Sequence, residues 1–390
     1  MQSEKESGPR RIALLIGQIG FGGTETQLSL LARELHNRGF VVDVLVLFEG
    51  GVHEPALRAA GIGVHHLGFS RRPSGPAAAL KTLRAFVRMV ALLRRLRPDV
   101  LHAFLMASNL VGALAALLAR VPVMIAGFRV LSDVGHGRRS PHWRLALGGA
   151  LTPITNHVVG NAVAVADDAR TAFGIPSHKI SVIYNGMPDS AFDSVEPEAI
   201  ETDLPVVVCL ARMRPEKGHA FLLDAAALLS RQGTPCTLVL VGDGPEENRV
   251  KEHASSLDID VRFAGPVKDP RAWLARADIV VLPSTSEALS NAVMEAMAQG
   301  RPIVATAVGG TPELLEDRGV LVAPADPVAL GQGISGLLRD PELAAHFGAV
   351  ARAWAVKHLD VASMVEAHVE LYRRLLEGRY ARSRPRVIAH

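Results

Sequence analysis

Cysteine, aromatic residues and long apolar runs are all scarce in this chain of 390 residues. The two cysteines, Cys209 and Cys236, lie inside strand-like apolar runs without metal-ligand spacing, so we predict neither a disulfide nor a metal site. Aromatic residues make up 5% of the chain, which disfavours a surface for stacking bases, and we expect no nucleic-acid partner. No apolar run reaches the roughly 20 residues of a bilayer span, and residues 1–10 are polar. These absences together predict a cytoplasmic protein.

Apolar residues are abundant, at 48% of the chain, and the length suits two domains. Charge is unevenly divided between the two halves. Residues 1–195 hold 21 Lys and Arg against 13 Asp and Glu, and residues 196–390 hold 21 against 26. A basic first half and an acidic second half indicate different binding partners, although chance variation on solvated faces would also produce the difference.

Short β-like runs alternate with helical runs twice along the chain, which predicts an α/β fold. We expect two Rossmann-like, doubly wound domains that face each other across a cleft, where ligands of such sheets bind. A segment rich in glycine, proline and acids separates the two series and is predicted to be the linker. The predicted segments are a disordered N-terminus (1–10), a first domain (11–185), the linker (186–204), a second domain (205–358), a terminal helix (361–377) and a disordered basic tail (378–390).

The first loop that could carry chemistry is GFGGTE, residues 20–25, between a predicted strand and a helix start. Its glycines, Gly22 and Gly23 among them, would let backbone amides approach an anion at the helix N-terminus, although a tight turn alone would also need them. Thr24 and Gln27 fit a capping box. A dinucleotide fingerprint would require a third glycine where Glu25 stands, which argues against an oxidoreductase.

Two loops of the second half carry charged groups at predicted strand ends. Residues 212–218 (RMRPEKG) place Arg212, Arg214 and Lys217 where a diphosphate could bind, although a solvated loop would look the same. Residues 283–300 place Glu287 in a loop and Glu295 in the following helix, which Ser290 or Asn291 would cap. A carboxylate, helix N-terminal amides and a second carboxylate could bind a sugar, a phosphate and a ribose together, although acids near a helix start are also common.

Five motifs in order along the chain strengthen this interpretation: GGTE at 22–25, VIYNG at 182–186, LARMRPEKG at 210–218, VGDGP at 241–245 and SEALSNAVMEAMAQGRPIVATAVGGTPELLED at 286–317. Together they resemble the retaining glycosyltransferases of family 4, which have the two-domain GT-B architecture. The last motif contains two glutamates with seven residues between them, the signature of that family. The resemblance implies that the first domain receives the acceptor, that the second binds a nucleotide sugar, and that the last helix packs back onto the first domain.

The resemblance also implies roles for individual residues. Arg212 and Lys217 would hold the donor diphosphate, Glu287 would lie near the donor sugar and the reacting centre, and Glu295 would bind the ribose hydroxyls. The catalytic group is then Glu287, Arg212 and Lys217. The donor site would further include Gly22, Gly23, Leu289, Ser290 and Asn291. A UDP-sugar is the expected co-substrate, with a GDP-sugar as the alternative, and no metal or other cofactor is required.

Ala288 and Arg129 depart from the family pattern. Ala288 replaces a glycine that often follows the first signature glutamate. Arg129 stands where some relatives carry a histidine, which puts a catalytic histidine there in doubt, and it would instead face the acceptor or a phosphate. His102 matches a histidine common in relatives, although its residue type alone favours a structural role. With His136 these residues form the predicted acceptor set.

Basic residues are concentrated in the first half. Residues 70–98 hold eight Lys and Arg and no acid, and within them Lys81, Arg84, Arg88 and Arg95 follow helical spacing. A basic amphipathic helix at 76–97 could lie on an anionic membrane, or it could be an ordinary core helix with a solvated face. A second cluster, around Arg129 and His136, is rich in glycine and suits an acceptor loop.

The sequence therefore predicts a retaining glycosyltransferase that acts on a saccharide or lipid-linked acceptor in the synthesis of cell-envelope polysaccharides. Its expected location is the cytoplasm, including the inner face of the membrane. Two alternatives stay open at this stage. One is another GT-B enzyme such as a nucleotide-sugar epimerase, and the other is a catalytically silent subunit that binds sugar nucleotides.

Overall fold

The computed structural model describes residues 11–20, 22–71, 75–131, 146, 149 and 152–383, with side chains as far as 378. The chain divides into two compact units. The first unit comprises Met1–Gly186 and Val361–His390, and the second comprises Met187–Asp360. Both are layered α/β structures with parallel strands.

The first unit contains a parallel sheet of seven strands among its described residues, in the order β3-β2-β1-β4-β5-β6-β7. The strands are β1 (Arg11–Ile16), β2 (Val41–Val46), β3 (Gly63–His66), β4 (Val100–Phe104), β5 (Val123–Phe128), β6 (His157–Gly160) and β7 (Ile180–Val182). Its helices are α1 (Gly23–Asn37), α2 (Glu54–Ala59), α3 (Gly75–Leu96), α4 (Met106–Ala119), α5 (Val163–Phe173) and, from the end of the chain, α13 (Val361–Ser383).

The second unit contains a parallel sheet of six strands in the order β10-β9-β8-β11-β12-β13. The strands are β8 (Val206–Leu210), β9 (Thr237–Val241), β10 (Asp260–Gly265), β11 (Ile279–Leu282), β12 (Ile303–Thr306) and β13 (Val320–Val322). The helices are α6 (His219–Arg231), α7 (Glu247–Ser255), α8 (Arg271–Arg276), α9 (Asn291–Ala298), α10 (Thr311–Leu315), α11 (Pro327–Arg339) and α12 (Pro341–His358).

The central strands are nearly continuous apolar runs because helices cover both faces of each sheet. In the first unit α1 and α13 cover one face and α3 and α4 cover the other. Cys209 and Cys236 belong to the core of the second unit, where burial raises the pKa of the Cys209 thiol to about 12. Each sheet therefore has a dry interior, and its chemistry is confined to the loops at the strand ends.

The strand order fixes where ligands can bind. In each sheet the order reverses beside the first strand, between β1 and β4 and between β8 and β11. At such a switch point the loops that follow the two strands turn away from each other and leave a crevice at the carboxyl edge. The loops predicted to hold the donor follow β8 and β11 and therefore start at the switch point of the second sheet.

The region predicted to be the linker is packed onto the second unit. Gln299 donates to the carbonyl oxygens of Ala191 and Asp193, at 2.6 and 3.1 Å, and Arg352 donates to that of Phe192 at 2.7 Å. Further along, the backbone amide of Glu198 donates to Ala272. These bonds order residues whose composition alone predicts a flexible linker, and the boundaries between the two units lie after Gly186 and after Asp360.

The end of the chain differs from its prediction as well. Helix α13 runs to Ser383, so residues 378–383 are helical rather than disordered. Their sequence, GRYARS, lacks proline, and the first proline after them is Pro385, before which a helix is expected to end. Residues 384–390, like the predicted disordered residues 1–10, lie outside the described residues.

Candidate active site

Two loops meet at the switch point of the second sheet. The loop after β8 reaches Gly218, which has φ of +70°, and a Cβ there would overlap the carbonyl oxygen of Pro283 in the loop after β11. The Thr285 amide donates to the Glu216 carbonyl at 2.8 Å. Glycine is needed at 218 because both the backbone angle and the close approach exclude a side chain. This contact brings the RMRPEKG loop against the loop that carries Glu287.

Lys217 and Glu287 pair directly across this contact. The Lys217 Nζ atom donates to Glu287 Oε1, and the Ser284 hydroxyl donates to the same oxygen at 2.8 Å. Glu287 is only 9% exposed, so its charge is held by partners rather than by water. The two groups stand 70 positions apart in the sequence, and nothing local indicates that they touch.

A third loop, after β12, fixes the backbone of Glu287. Gly309 has φ of +52°, and a Cβ there would overlap the Glu287 carbonyl oxygen. The next residue, Gly310, donates its amide to the Ala288 carbonyl at 2.8 Å. Glu287 is therefore positioned by its own loop, by the ion pair with Lys217 and by the glycine turn at 309–310.

Helix α9 begins directly after this loop. Ser290 is its N-cap, and its hydroxyl accepts from the Val293 amide, as the predicted cap requires. Leu289 and Ser290 are buried, at the end of the helix that carries positive partial charge. Asn291 is the first helical residue.

The side-chain carboxylate of Glu295, in the second turn of α9, has neither a hydrogen bond nor an ion pair with any described residue. Burial, with a contribution from the negative charge of Asp269, raises the pKa of the Glu295 carboxyl to about 7. A half-buried carboxylate without a donor is able to accept hydrogen bonds from a ligand, and hydroxyl groups would lower its pKa again.

Arg212 is about half exposed and lies 3.4 Å from Asp243 in the loop after β9. The Met213 amide donates to the Asp243 carbonyl at 2.7 Å, which joins the two loops. Arg214 lies 3.9 Å from Glu216. The two predicted cations are thus arranged differently, because Lys217 is committed to a buried glutamate while Arg212 is weakly paired and accessible.

In the first unit, the glycine loop after β1 leads into α1 with Gly22 as N-cap and Gly23 as the first residue. The predicted capping box is wrong, because α1 has no side-chain cap. Gln27 instead bonds the backbone amide and carbonyl of Gly186, both at 2.9 Å. Glu25 is buried and accepts from Gln18 at 3.2 Å.

His102 is fully buried in the middle of β4. Its Nδ1 atom is 2.8 Å from the Tyr372 hydroxyl of α13, and burial keeps the pKa of His102 well below its ordinary value. His368 packs beside it at a ring-centroid distance of 5.5 Å. Contact with an acceptor is therefore not supported for His102, whose environment is the interior between the sheet and α13.

Arg129 directly follows β5 and is also buried, with its guanidinium bonded to the Asn185 side-chain oxygen. His136, the third predicted acceptor residue, lies outside the described residues, as do the other members of its basic cluster beyond Arg129. Asp260, part of a DxD-like pair at 258–260, accepts from Thr237 at 2.7 Å. Across the described part of the chain, no group of three His, Cys, Asp or Glu side chains is arranged to hold a metal ion.

Residues 21–190 match the family described as Glycosyltransferase Family 4, and residues 204–340 match that described as Glycosyl transferases group 1. A D-inositol 3-phosphate glycosyltransferase of Acidothermus cellulolyticus is 30% identical over 425 aligned positions, which cover 95% of this chain and 92% of the relative. The chain belongs to glycosyltransferase family 4. It is therefore an enzyme of the hexosyltransferase type.

Further similarities agree with this family 4 assignment. A GDP-mannose-dependent alpha-(1-6)-phosphatidylinositol monomannoside mannosyltransferase of Mycolicibacterium smegmatis is 35% identical over 167 residues, 40% of this chain and 44% of the relative. The crystal structure of Anabaena Alr3699/HepE in complex with UDP superimposes with a TM-score of 0.78 at 25% identity, covering 93% of this chain and 99% of that one. The predicted GT-B fold, with two Rossmann-like parallel sheets, is confirmed.

Sequence reasoning on this glycosyltransferase missed three features. The VGDGP motif did not indicate a role for Asp243. A carboxylate in a glycine turn, together with a separate basic loop, could have suggested its ion pair with Arg212. Sequence reasoning did not foresee that Lys217 would pair with Glu287. It also omitted β6 and β7, which have only four and three residues and no alternating pattern.

Proposed function

We propose that the enzyme transfers a hexosyl group from a UDP-sugar to a saccharide or lipid-linked acceptor, with retention of configuration at the anomeric carbon. The observation that carries this proposal is the arrangement around Glu287. A buried carboxylate, a lysine and a capped helix N-terminus meet at the switch point of the second sheet, and Glu295 stands without a partner one turn further along. Such an arrangement suits a sugar, a diphosphate and a ribose in sequence.

In this proposal the second unit stabilises the departing nucleoside diphosphate. The bond between the anomeric carbon and the diphosphate oxygen breaks, and negative charge accumulates on the leaving group. Lys217, Arg212 and the amides at Leu289 and Ser290 would bind that charge, which is where electrostatic stabilisation contributes most. With two side-chain cations available, the proposal includes no metal cofactor.

The two glutamates have separate roles. Glu287 would orient the donor sugar and stabilise the positive character that develops at its ring. Since Lys217 neutralises Glu287 in the structure, donor phosphate would compete with Glu287 for the lysine. Glu295 and Asn291 would contact the nucleoside end.

We propose UDP because UDP is the ligand in the similar HepE structure. A GDP-sugar is the alternative because the similar mannosyltransferase depends on GDP-mannose. Retention is supported by the alpha linkage in that mannosyltransferase's name, since GDP-mannose is itself an alpha-glycoside. A lipid-linked acceptor is supported in the same way by the phosphatidylinositol monomannoside in that enzyme's name. Arg129 is the described residue that we propose for the acceptor side.

The donor proposal is tested by thermal-shift measurements with a panel of UDP- and GDP-sugars. A ligand at 100 times its Kd should add about 2.7 kcal/mol to the free energy of unfolding, and a UDP-sugar should do so at the lowest concentration. Stabilisation by GDP-sugars alone would reject the choice of base. An epimerase would convert the donor without an acceptor, so release of UDP only after an acceptor is added would exclude that alternative.

The first unit also presents a surface suited to an anionic membrane. Of the predicted apolar side of α3, Val90 and Leu93 are in the core, but Leu83 and Val87 are each 58% exposed. Leu80, Leu83 and Val87 lie on one helical face beside the exposed Lys81, Arg84 and Arg88. Among the described residues no helix is long and apolar enough to cross a membrane.

Helix α4 packs against α3 and extends this surface, since Arg94 donates to the Leu118 carbonyl at 3.1 Å. The sequence of α4 contains no charged residue, yet Leu114, Leu117 and Leu118 are exposed. Exposed apolar side chains beside a basic stripe are typical of helices that lie in the membrane interface. We propose that α3 and α4 bring the enzyme to an anionic bilayer.

This membrane proposal is tested by sedimentation with vesicles of phosphatidylglycerol and of phosphatidylcholine. Wild type should bind the anionic vesicles, and Val87→Asp or Leu117→Asp should weaken that binding by about tenfold, because each removes apolar area and adds a negative charge. Val328→Asp in the second unit is the matched control, since Val328 is 53% exposed. Equal binding of all variants would reject the proposed surface.

A further inference from the structure

The charge of Arg129 is not balanced by any carboxylate in the part of the chain that the structure describes. It follows the last residue of β5, at the carboxyl edge of the first sheet, and it is only 6% exposed. No carboxylate among the described residues lies within 4.0 Å of its guanidinium. Buried arginines are normally paired, because an isolated cation is costly to remove from water.

The contacts that Arg129 does make are to neutral groups. One guanidinium nitrogen donates to the Asn185 side-chain oxygen, and the guanidinium carbon lies 5.1 Å from the centre of the Phe104 ring. The Nε atom is buried and has no acceptor among the described residues. Burial lowers the pKa of Arg129 to about 10, so the side chain stays charged at neutral pH.

The groups around Arg129 cannot supply the missing negative charge. Burial lowers the pKa of His102 and His368, the latter to about 3, so both are neutral at pH 7. Burial likewise raises the pKa of the Tyr372 phenol far above its ordinary value, so it keeps its proton. The described side chains around Arg129 are therefore all neutral, and none of them balances its positive charge.

The same edge carries further groups that a ligand could satisfy. Helix α4 begins at Met106, two residues after Phe104. The side-chain amide of Asn109 in this helix donates to the Gly127 carbonyl of β5 at 3.0 Å. Among the described residues, no donor reaches the buried side-chain oxygen of Asn109 or that of Asn161, which directly follows β6. Hydroxyl groups of a polyol could donate to both oxygens.

We propose that Arg129 is the anion-binding residue of the acceptor site and that it binds a phosphate group of the acceptor. This inference rests on the proposed function, in which the enzyme transfers a hexosyl group and Arg129 lies on the acceptor side. A phosphate would supply the absent countercharge, and the planar guanidinium matches two of its oxygens. The acceptor is then a phosphate-bearing polyol or sugar, either free in solution or as the headgroup of a lipid.

The experiment measures the melting temperature of the full chain during titration with inorganic phosphate at constant ionic strength. Saturating UDP is present throughout, so that the donor cations are occupied. At ten times its Kd, phosphate should raise the melting temperature of wild type by about 3 to 6 °C. Arg129→Gln should abolish that rise, while the exposed cation variant Arg120→Gln should keep it.

Further variants separate a ligand site from a structural role. Arg129→Gln should be at least as stable as wild type in phosphate-free buffer, because it removes an uncompensated charge, and Arg129→Lys should retain a weakened response to phosphate. Asp133→Asn is a further control, because Asp133 is an acidic residue near Arg129 in the sequence and lies outside the described residues. If phosphate supplies the countercharge of Arg129, this variant should respond to phosphate like wild type. The proposal is overturned if Arg129→Gln responds to phosphate like wild type, or if it is destabilised equally with and without phosphate.

Two probes then identify the source of the phosphate. Glycerol 3-phosphate in solution and phosphatidic acid in vesicles are compared for binding to wild type and Arg129→Gln. Loss of binding by at least tenfold in the variant supports the site and shows which form it accepts, and unchanged binding of both contradicts it. Failure of the donor proposal would look different, because UDP itself would then not stabilise any of the variants.

Discussion

The two sheets differ in whether the charged side chains at their carboxyl edges have ion-pair partners among the described residues. In the second unit Lys217 and Glu287 neutralise each other inside a contact of three loops. In the first unit Arg129 is buried among neutral side chains and has no carboxylate among the described residues within ion-pair distance. A site whose charges are already paired is organised before its ligand arrives, whereas a site with one uncompensated charge depends on the ligand for its balance.

Removing Glu287 should give the largest effect. We expect Glu287→Gln to lower kcat by at least about a thousandfold, because in the proposed mechanism it removes the charge near the donor sugar, and it leaves Lys217 without its partner. Single-turnover measurements with a UDP-sugar and acceptor would show the loss, and calorimetry would show whether the variant is folded. Near-normal transfer by a folded variant would contradict the assigned role.

The lysine offers a check on whether the pair acts as a unit. If Lys217 and Glu287 depend on each other, the double variant Lys217→Met, Glu287→Gln should be little worse than the poorer single variant. Additive losses would mean that each group acts on the donor independently, and the contrast with the first unit would then weaken.

Gly309→Ala should have the next largest effect, since the loop contact that fixes Glu287 would have to open. We expect destabilisation by about 2–4 kcal/mol, from the positive φ and the overlap with the Glu287 carbonyl, together with a lower kcat. Gly336→Ala is the matched control, because Gly336 lies in α11 with open space around its Cα and should gain up to about 1 kcal/mol. Urea titrations of both variants would measure the difference, and equal changes in stability would remove the argument for strain at 309.

Glu295 is the exception within the second unit, because it resembles Arg129 in having no partner. Its raised pKa, about 7 against 4.5 in the unfolded chain, means that the folded state binds its proton more tightly. Its contribution to stability is therefore greatest below pH 4.5 and is lost as the pH rises to 7. Glu295→Gln should match wild type near pH 4.5 and be more stable by about 1–2 kcal/mol at pH 8, a figure reduced for partial exposure. UDP should bind this variant more weakly, and a constant stability difference across pH would contradict the shift.

Local patterns were enough to predict two α/β domains, since most of the buried strands are marked within a few residues, and the family resemblance then implied the GT-B fold. The loops of Glu287 and Arg212 were predicted for the same reason, and Ser290 caps α9 as a local motif requires. Contacts between distant segments were not predictable. Gln27 bonds Gly186, 159 positions away, instead of capping its own helix.

The surroundings of His102 and Arg129 in the first sheet were harder to predict because they are assembled from distant parts of the chain. His102 is buried under Tyr372, 270 positions later, and Arg129 meets Asn185 only through the order of the strands. A histidine or an arginine after a strand carries no local sign of whether a carboxylate will lie beside it. Burial and pairing decide its function, and both are tertiary properties.

The variant with the smallest expected effect, Tyr372→Phe, tests whether His102 is a residue of the interior or of the acceptor site. Tyr372→Phe would remove the hydroxyl that lies 2.8 Å from His102 Nδ1 and leave that buried nitrogen unsatisfied. We expect a loss of about 1 kcal/mol in the free energy of unfolding, or about 2–4 °C in melting temperature, with kcat and both KM values unchanged. His102→Gln should behave alike. If either variant instead raised the KM for the acceptor without loss of stability, the acceptor site would extend into the interior, and Arg129 would share its anion with a histidine.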